Sequence, residues 1–214
     1  MNRKKIIILI VILIILFCLS FFIINNINKK DRYNQKILFL GDSIIERYDL
    51  KKYYKKYTNI INSGVGGNQS IDILNDLDNR VYKYKPEKII ILVGTNDIAF
   101  SGLDNASISK NIEKIINNIH KKLPNTKIYV QSVYPVNYNV NKDIVANRTN
   151  DNIKDLNKKI KKICEDNKCT YINMYDTLID NKGILRRIYT TDGLHINRVG
   201  YRIITIKLLK YINE

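Results

Sequence analysis

Apolar and polar positions fall along this chain in blocks. Residues 6–24, "IIILIVILIILFCLSFFII", form an apolar or nearly apolar run without a charge. Beyond it come five shorter apolar runs: "KILFLG" (36–41), "TNIINSG" (58–64), "KIIILVG" (88–94), "TKIYVQSVYP" (126–135) and "TYINMY" (170–175). Short continuous runs rich in Ile and Val suit strands buried on both faces of a parallel sheet. The stretches between them carry a helical period instead. Ile112, Ile115, Ile116, Ile119 and Leu123 share one helical face, Ile153, Leu156, Ile160 and Ile163 another, and a last helix is expected over 197–212. Strands alternating with helices predict a three-layer α/β/α sandwich around a five-stranded, mostly parallel sheet.

The first run is of a different kind. At 1.5 Å per residue a helix over 6–24 is about 28 Å long, close to a bilayer core of roughly 30 Å. A cleavable export signal is the competing reading, with Cys18 and Ser20 as small residues at a cleavage site. The run continues through Phe21, Phe22, Ile23 and Ile24, which favours a retained transmembrane anchor. Phe17 before Cys18 does not suit a lipoprotein signal. The chain thus divides into an anchor (1–24), a polar linker (25–35) and one domain (36–214). Arg3, Lys4 and Lys5 favour a cytoplasmic N-terminus, and Lys29, Lys30 and Arg32 pull the other way. A basic start before an N-terminal apolar run is the usual export pattern, so the chain is expected to be single-pass with its domain outside the cell membrane.

Composition narrows the function. With 45% hydrophobic and 26% charged residues the chain is globular, and about 180 residues after the anchor suffice for one full core. A formal charge of +16 invites a nucleic-acid reading. The lysines, however, are spread over polar helix faces such as "KKYYKKY" and "NKKIKKI", with no zinc-finger, RNP or basic-zipper pattern. No nucleic-acid partner is expected, and attraction to anionic membrane or wall polymers is the secondary reading. Cys164 and Cys169 could form a local disulfide or remain free thiols. Two isolated histidines offer no metal-ligand cluster, so neither a metal nor a cofactor is expected.

In open parallel sheets ligands bind beyond the carboxyl ends of the strands. Those positions here hold Gly41-Asp42-Ser43, then Gly64-Val65-Gly66-Gly67-Asn68, then Gly94-Thr95-Asn96-Asp97. Asp192-Gly193-Leu194-His195 precedes the last helix. Taken singly, each reads as a turn, and Ser43 as a helix cap. Taken together they hold the parts of acyl-transfer chemistry. A serine hydroxyl is a poor nucleophile until a base takes its proton. His195 is the candidate base and then general acid, since the other histidine, His120, lies in the basic segment "NNIHKKL" and reads as a surface residue. Asp192, three residues earlier, can accept from the other ring nitrogen.

In this order the four blocks resemble those of the SGNH-hydrolase superfamily, the GDSL esterases and lipases. The resemblance covers essentially the whole domain, from about residue 36 to the last helix. It implies a flavodoxin-like sheet, with Ser43 as nucleophile and Asp192 and His195 completing a triad. It also implies an oxyanion hole made by the backbone N–H groups of Ser43 and Gly67 and the side-chain amide of Asn96. The family block Asn-x-Gly-x-x-Gly fits Asn62, Gly64 and Gly67, while the extra Gly66 leaves the donor open by one residue. Asp97 reads as a residue that orients its loop. A Gly-x-Ser-x-Gly elbow and a dinucleotide fingerprint are both missing from the sequence.

The expected function is a membrane-anchored serine esterase that removes a short, acetyl-like acyl group from an extracytoplasmic substrate, acylated carbohydrate first. A lysophospholipase-like acylhydrolase acting on lipid and an O-acyltransferase on cell-surface carbohydrate are the alternatives, and a non-catalytic binding module comes last. Asn68-Gln69-Ser70 is an N-glycosylation sequon whose glycan would sit beside the oxyanion donors, which argues for a bacterial surface.

Overall fold

A computed structural model describes residues 2–214, and the side chains of these except at 3–9, 11 and 25–30. Five strands, β1 (Ile37–Gly41), β2 (Ile60–Gly64), β3 (Lys88–Leu92), β4 (Lys127–Gln131) and β5 (Thr170–Ile172), form one sheet in the order β2-β1-β3-β4-β5. Every pairing is parallel, with Gly41 opposite both Gly64 and Leu92. This is the flavodoxin-like order. The sequence runs overshoot at the last two strands. Lys127–Gln131 is followed by Ser132, whose N–H still reaches Ile172 but whose Oγ accepts from Tyr175 and turns that chain into a short helix.

Alternation along each strand divides the core. Leu38, Leu40, Ile89, Ile91, Ile128 and Val130 face one side, against Ile112, Ile115, Ile116 and Ile119 of one helix and Ile153, Leu156 and Ile160 of the next. Ile37, Phe39, Ile90, Leu92 and Tyr129 face the other, against Ile204, Leu208 and Ile212 of the last helix and the ring cluster Tyr48–Tyr54–Tyr57. The three long helices that follow β1 in the chain each begin on a side-chain cap. Asp104 accepts from Ser107 before α-helix Asn105–Lys122, Thr149 from Asn152 before Asn150–Asp166, and Asn197 from Val199 and Gly200 before Arg198–Ile212.

The N-terminal helix, α1, runs Arg3–Asn34. The stretch expected to be a polar linker is therefore helical almost to its end. Among the described residues no helix is long and apolar enough to cross a membrane. The anchor expected over 6–24 lies partly outside the described side chains. Where side chains are described, at 10 and 12–24, all are exposed, so the domain does not cover them. The carbonyl of Tyr33 accepts from Thr58 N–H at 2.9 Å, that of Asn34 from Asn59 Nδ2 at 2.7 Å, and the Tyr33 ring meets Tyr57 edge-on. The cysteine alternatives resolve as free thiols, Cys164 buried and hydrogen-bonded to Cys169, which pushes its pKa up.

Candidate active site

The residues singled out at the strand ends do meet. β1 ends at Gly41, and the chain turns at once into the one-turn α2 (Ser43–Glu46). The capping task falls to Asp42, whose Oδ1 accepts from Ile44 N–H at 2.9 Å. Ser43 is thus the first residue inside the helix, and its hydroxyl is left free of the backbone. Its Oγ lies 3.1 Å from His195 Nε2, across 152 positions of sequence.

His195 is held from behind. Its Nδ1 lies 2.7 Å from Asp192 Oδ2, while Asp192 Oδ1 accepts the backbone N–H groups of Leu194 (3.0 Å) and His195 (2.8 Å). One carboxylate thereby sets both the loop and the ring. Burial by itself would raise the Asp192 pKa. The hydrogen bonds from the His195 ring and the two amides outweigh it and hold the group below the ordinary carboxylate range. Gly193 makes the turn possible, with φ +87° and a position where a Cβ would lie 2.3 Å from the Asn137 carbonyl.

The expected oxyanion donors come from three neighbouring loops. Ser43 N–H opens α2, and among the described residues no acceptor takes it or the N–H of Gly67. Gly67 has φ +79° with open space where a side chain would stand. The neighbouring Gly66 stands close to the Glu46 carboxylate. Asn96 Nδ2 reaches the Asn68 carbonyl at 3.0 Å, which joins the third-strand loop to the Gly67 loop. Asp97 works at the same seam. Its carboxylate accepts the Ser70 amide at 2.9 and 3.0 Å and the Ser70 hydroxyl, an orienting contact of the kind expected. Asn62 turns away from the substrate side, with Nδ2 on the Ile45 and Tyr48 carbonyls and Oδ1 on Gly64 N–H. His120 is half-buried near the end of its own helix and takes no part in this cluster.

The sequence profile of the GDSL-like lipase/acylhydrolase family matches residues 39–203, from inside β1 into the last helix. The chain belongs to this family. It is 30% identical over 202 residues to the N-acylneuraminate cytidylyltransferase of Escherichia coli O18:K1:H7, a match covering 89% of this chain and 44% of that one. The chain therefore spans less than half the length of that curated relative. Among solved structures it is similar to one from Streptococcus pneumonia named for platelet activating factor (TM-score 0.79, 28% identity, 93% of this chain and 98% of that chain). An acetyl xylan esterase shares the fold (TM-score 0.68, 24% identity, 82% and 98%).

Two arginines of this acylhydrolase, absent from the sequence reading, brace the site. Arg80, buried, donates to the Gly41 and Ser63 carbonyls, to Ser63 Oγ and to Asn68 Oδ1, and so ties the end of β1 to the Gly67 loop. Arg148, also buried, donates Nε to Thr95 O (2.9 Å) and Oγ1 (3.0 Å), and Nη2 to Asn96 Oδ1 (2.9 Å). Occupying Oδ1 in this way turns the Asn96 amide so that its NH₂ faces the Gly67 loop. Burial lowers the Arg148 pKa, opposed by the charge of Asp42. In a chain that prefers Lys, a solitary Arg within "VANRTN" was the available signal, because only a planar fork can bond several acceptors at fixed angles.

Proposed function

We propose that this GDSL-like hydrolase works through Ser43, His195 and Asp192 on a short-chain, acetyl-like ester carried by an extracytoplasmic carbohydrate, and that residues 6–24 anchor it to the cell membrane with the domain outside. The observation that carries the chemistry is the pair of contacts Ser43 Oγ–His195 Nε2 (3.1 Å) and His195 Nδ1–Asp192 Oδ2 (2.7 Å). Along that line His195 takes the serine proton as Oγ attacks the ester carbonyl. Negative charge then gathers on the carbonyl oxygen, where the Ser43 and Gly67 amides and the Asn96 NH₂ are the available donors. His195 returns the proton to the departing alcohol, and water, activated by the same imidazole, releases the acid from Ser43. Asp192, ionised well into the acid range, stabilises the imidazolium formed in each half.

The sugar in this reading is supported by the relative named for an N-acylneuraminate, whose own acyl group is an amide, and the ester bond by the acylhydrolase family. A panel of p-nitrophenyl esters of rising chain length, run beside Ser43→Ala, tests the reading. Turnover should be greatest for acetate, fall with chain length, and drop by at least about 10³-fold in the variant. Persistent turnover in Ser43→Ala would overturn the mechanism, and a preference for long acyl chains would overturn the substrate class.

A further inference from the structure

The two ends of the sheet carry different equipment. Because all five strands are parallel, their carboxyl ends share one edge, and Ser43, Gly67 and Asn96 all lie there. The opposite edge holds the base of α1. Tyr33 and Asn34 are bonded to Thr58 and Asn59, directly before β2, and β1 begins three residues after α1 ends. The described side chains of α1 from Ile12 to Ile24 are all exposed, so this helix projects from the domain instead of folding back over it.

The edge around that base is basic. Lys55, Lys56, Lys85, Lys122 and Lys127 are exposed there, against Glu87 and the C-terminal Glu214. A cavity of about 300 Å³ between Tyr33, the 52–57 segment, Leu209 and Asn213 adds aromatic surface beside the lysines. Tyrosine and lysine side by side at the foot of this helix, beyond the polar stretch that follows its apolar run, suit the water side of a lipid boundary. From Ile24 to Asn34 the helix accounts for about 15 Å, and the sheet adds about 16 Å more. Ser43 therefore stands at an outer reach of about 30 Å from the end of the apolar run.

We propose that the domain stands with this basic edge against anionic lipid headgroups and its Ser43 centre on the remote edge, so that its substrate is an ester borne by a polymer or soluble molecule and not a phospholipid of the membrane holding the enzyme. This rests on the anchored reading of residues 6–24. Charge complementarity commits the edge to an anionic bilayer surface. A headgroup contact on one side and a parallel sheet between then fix the direction in which the site opens.

The chain contains no Trp, so a single introduced indole reports position. Full-length protein would be placed in nanodiscs containing phosphatidylglycerol and a headgroup-nitroxide lipid, as Asn125→Trp, beside β4 on the basic edge, or Phe100→Trp, just past Asn96. Quenching of most of the N125W signal with the F100W signal untouched is the expected result, as is loss of that quenching in the Lys55→Ser/Lys56→Ser/Lys127→Ser background. Equal quenching at both positions, or none in N125W, overturns the proposal. In the same discs, an acetylated soluble polysaccharide should be deacetylated while lysophospholipid in the disc is spared, and the reverse preference also overturns it. Flotation with neutral vesicles after a high-salt wash separates the two readings. A chain that fails to float refutes the anchor and this inference with it, whereas one that floats with N125W unquenched refutes the inference alone.

Discussion

The oxygen of Asn96 accepts from Arg148, and this one contact decides what the other end of the amide can do. With Oδ1 held at 2.9 Å by a cation, the NH₂ is both oriented and polarised, since a charge-assisted bond at one end of an amide strengthens donation from the other. On the proposed mechanism, with Asn96 as an oxyanion donor, Arg148→Met is expected to lower kcat by about 10- to 100-fold with KM changed less than about threefold, because loss of a positioned donor is felt in the transition state. Arg148→Lys should recover little, lacking the fork that spans Thr95 and Asn96. Asn96→Ala should cost at least as much, and combining it with Arg148→Met should add little, as expected of residues acting through one amide. Steady-state kinetics with a thermal melt of each variant checks this. Additive losses would mean that Arg148 acts on something other than Asn96.

Elements, more than single residues, show why part of this site could be read from sequence. β1 and β3 are buried at every position, and apart from Lys88 at the start of β3 such runs are visible as unbroken apolar letters. The strand-end blocks are equally visible because each does its work within a few residues: Asp42 caps the helix that starts at Ser43, and Asp192 holds the loop that carries His195. Arg80 and Arg148 were not legible. Arg148 meets Thr95 from 53 positions away, so its one local signal, an Arg where the chain prefers Lys, says nothing of the partners it reaches. The length of β5 was hidden for a similar reason, since the turn after Ile172 depends on the side chain of Ser132, just past the neighbouring strand. Contact between elements also sets a limit on Gly64. A Cβ there would lie 2.1 Å from Glu46 N, so β2 and α2 touch backbone to backbone. Gly64→Ala should therefore destabilise by about 1–3 kcal/mol, as overpacking does. It should also cut kcat beyond what the melt explains, because the relief available is a shift of α2 and with it Ser43. Unchanged kcat with only a lowered Tm would show that the strain is absorbed in β2.

At the scale of the whole molecule, the site leaves a mark on stability. Asp42 is fully buried, its Oδ2 has no partner among the described residues, and burial pushes its pKa from 3.8 to about 7, with Ile44 N–H and the Arg148 charge opposing. The unfolded chain releases this proton near 3.8. Between there and about 7 the folded chain keeps it, so folding takes up a proton across that window. The stabilising contribution is complete below the unfolded value and is lost as pH rises through the folded one, a span of roughly 4 kcal/mol at 1.36 kcal/mol per unit. Asp97, also raised by burial, adds in the same direction. Asp192, lowered, acts oppositely, and its contribution is lost only as pH falls through its folded value. The net expectation is an unfolding free energy that declines between about pH 5 and pH 7 and then levels. Asp42→Asn keeps an oxygen for Ile44 N–H and removes the proton, so its profile over that interval should be nearly flat and should meet or exceed the parent's above pH 7. Urea unfolding at a series of pH values, in one detergent, makes the comparison. Parallel slopes in the two proteins would mean that Asp42 is already ionised when folded, with its charge carried by Arg148 across the floor of the site.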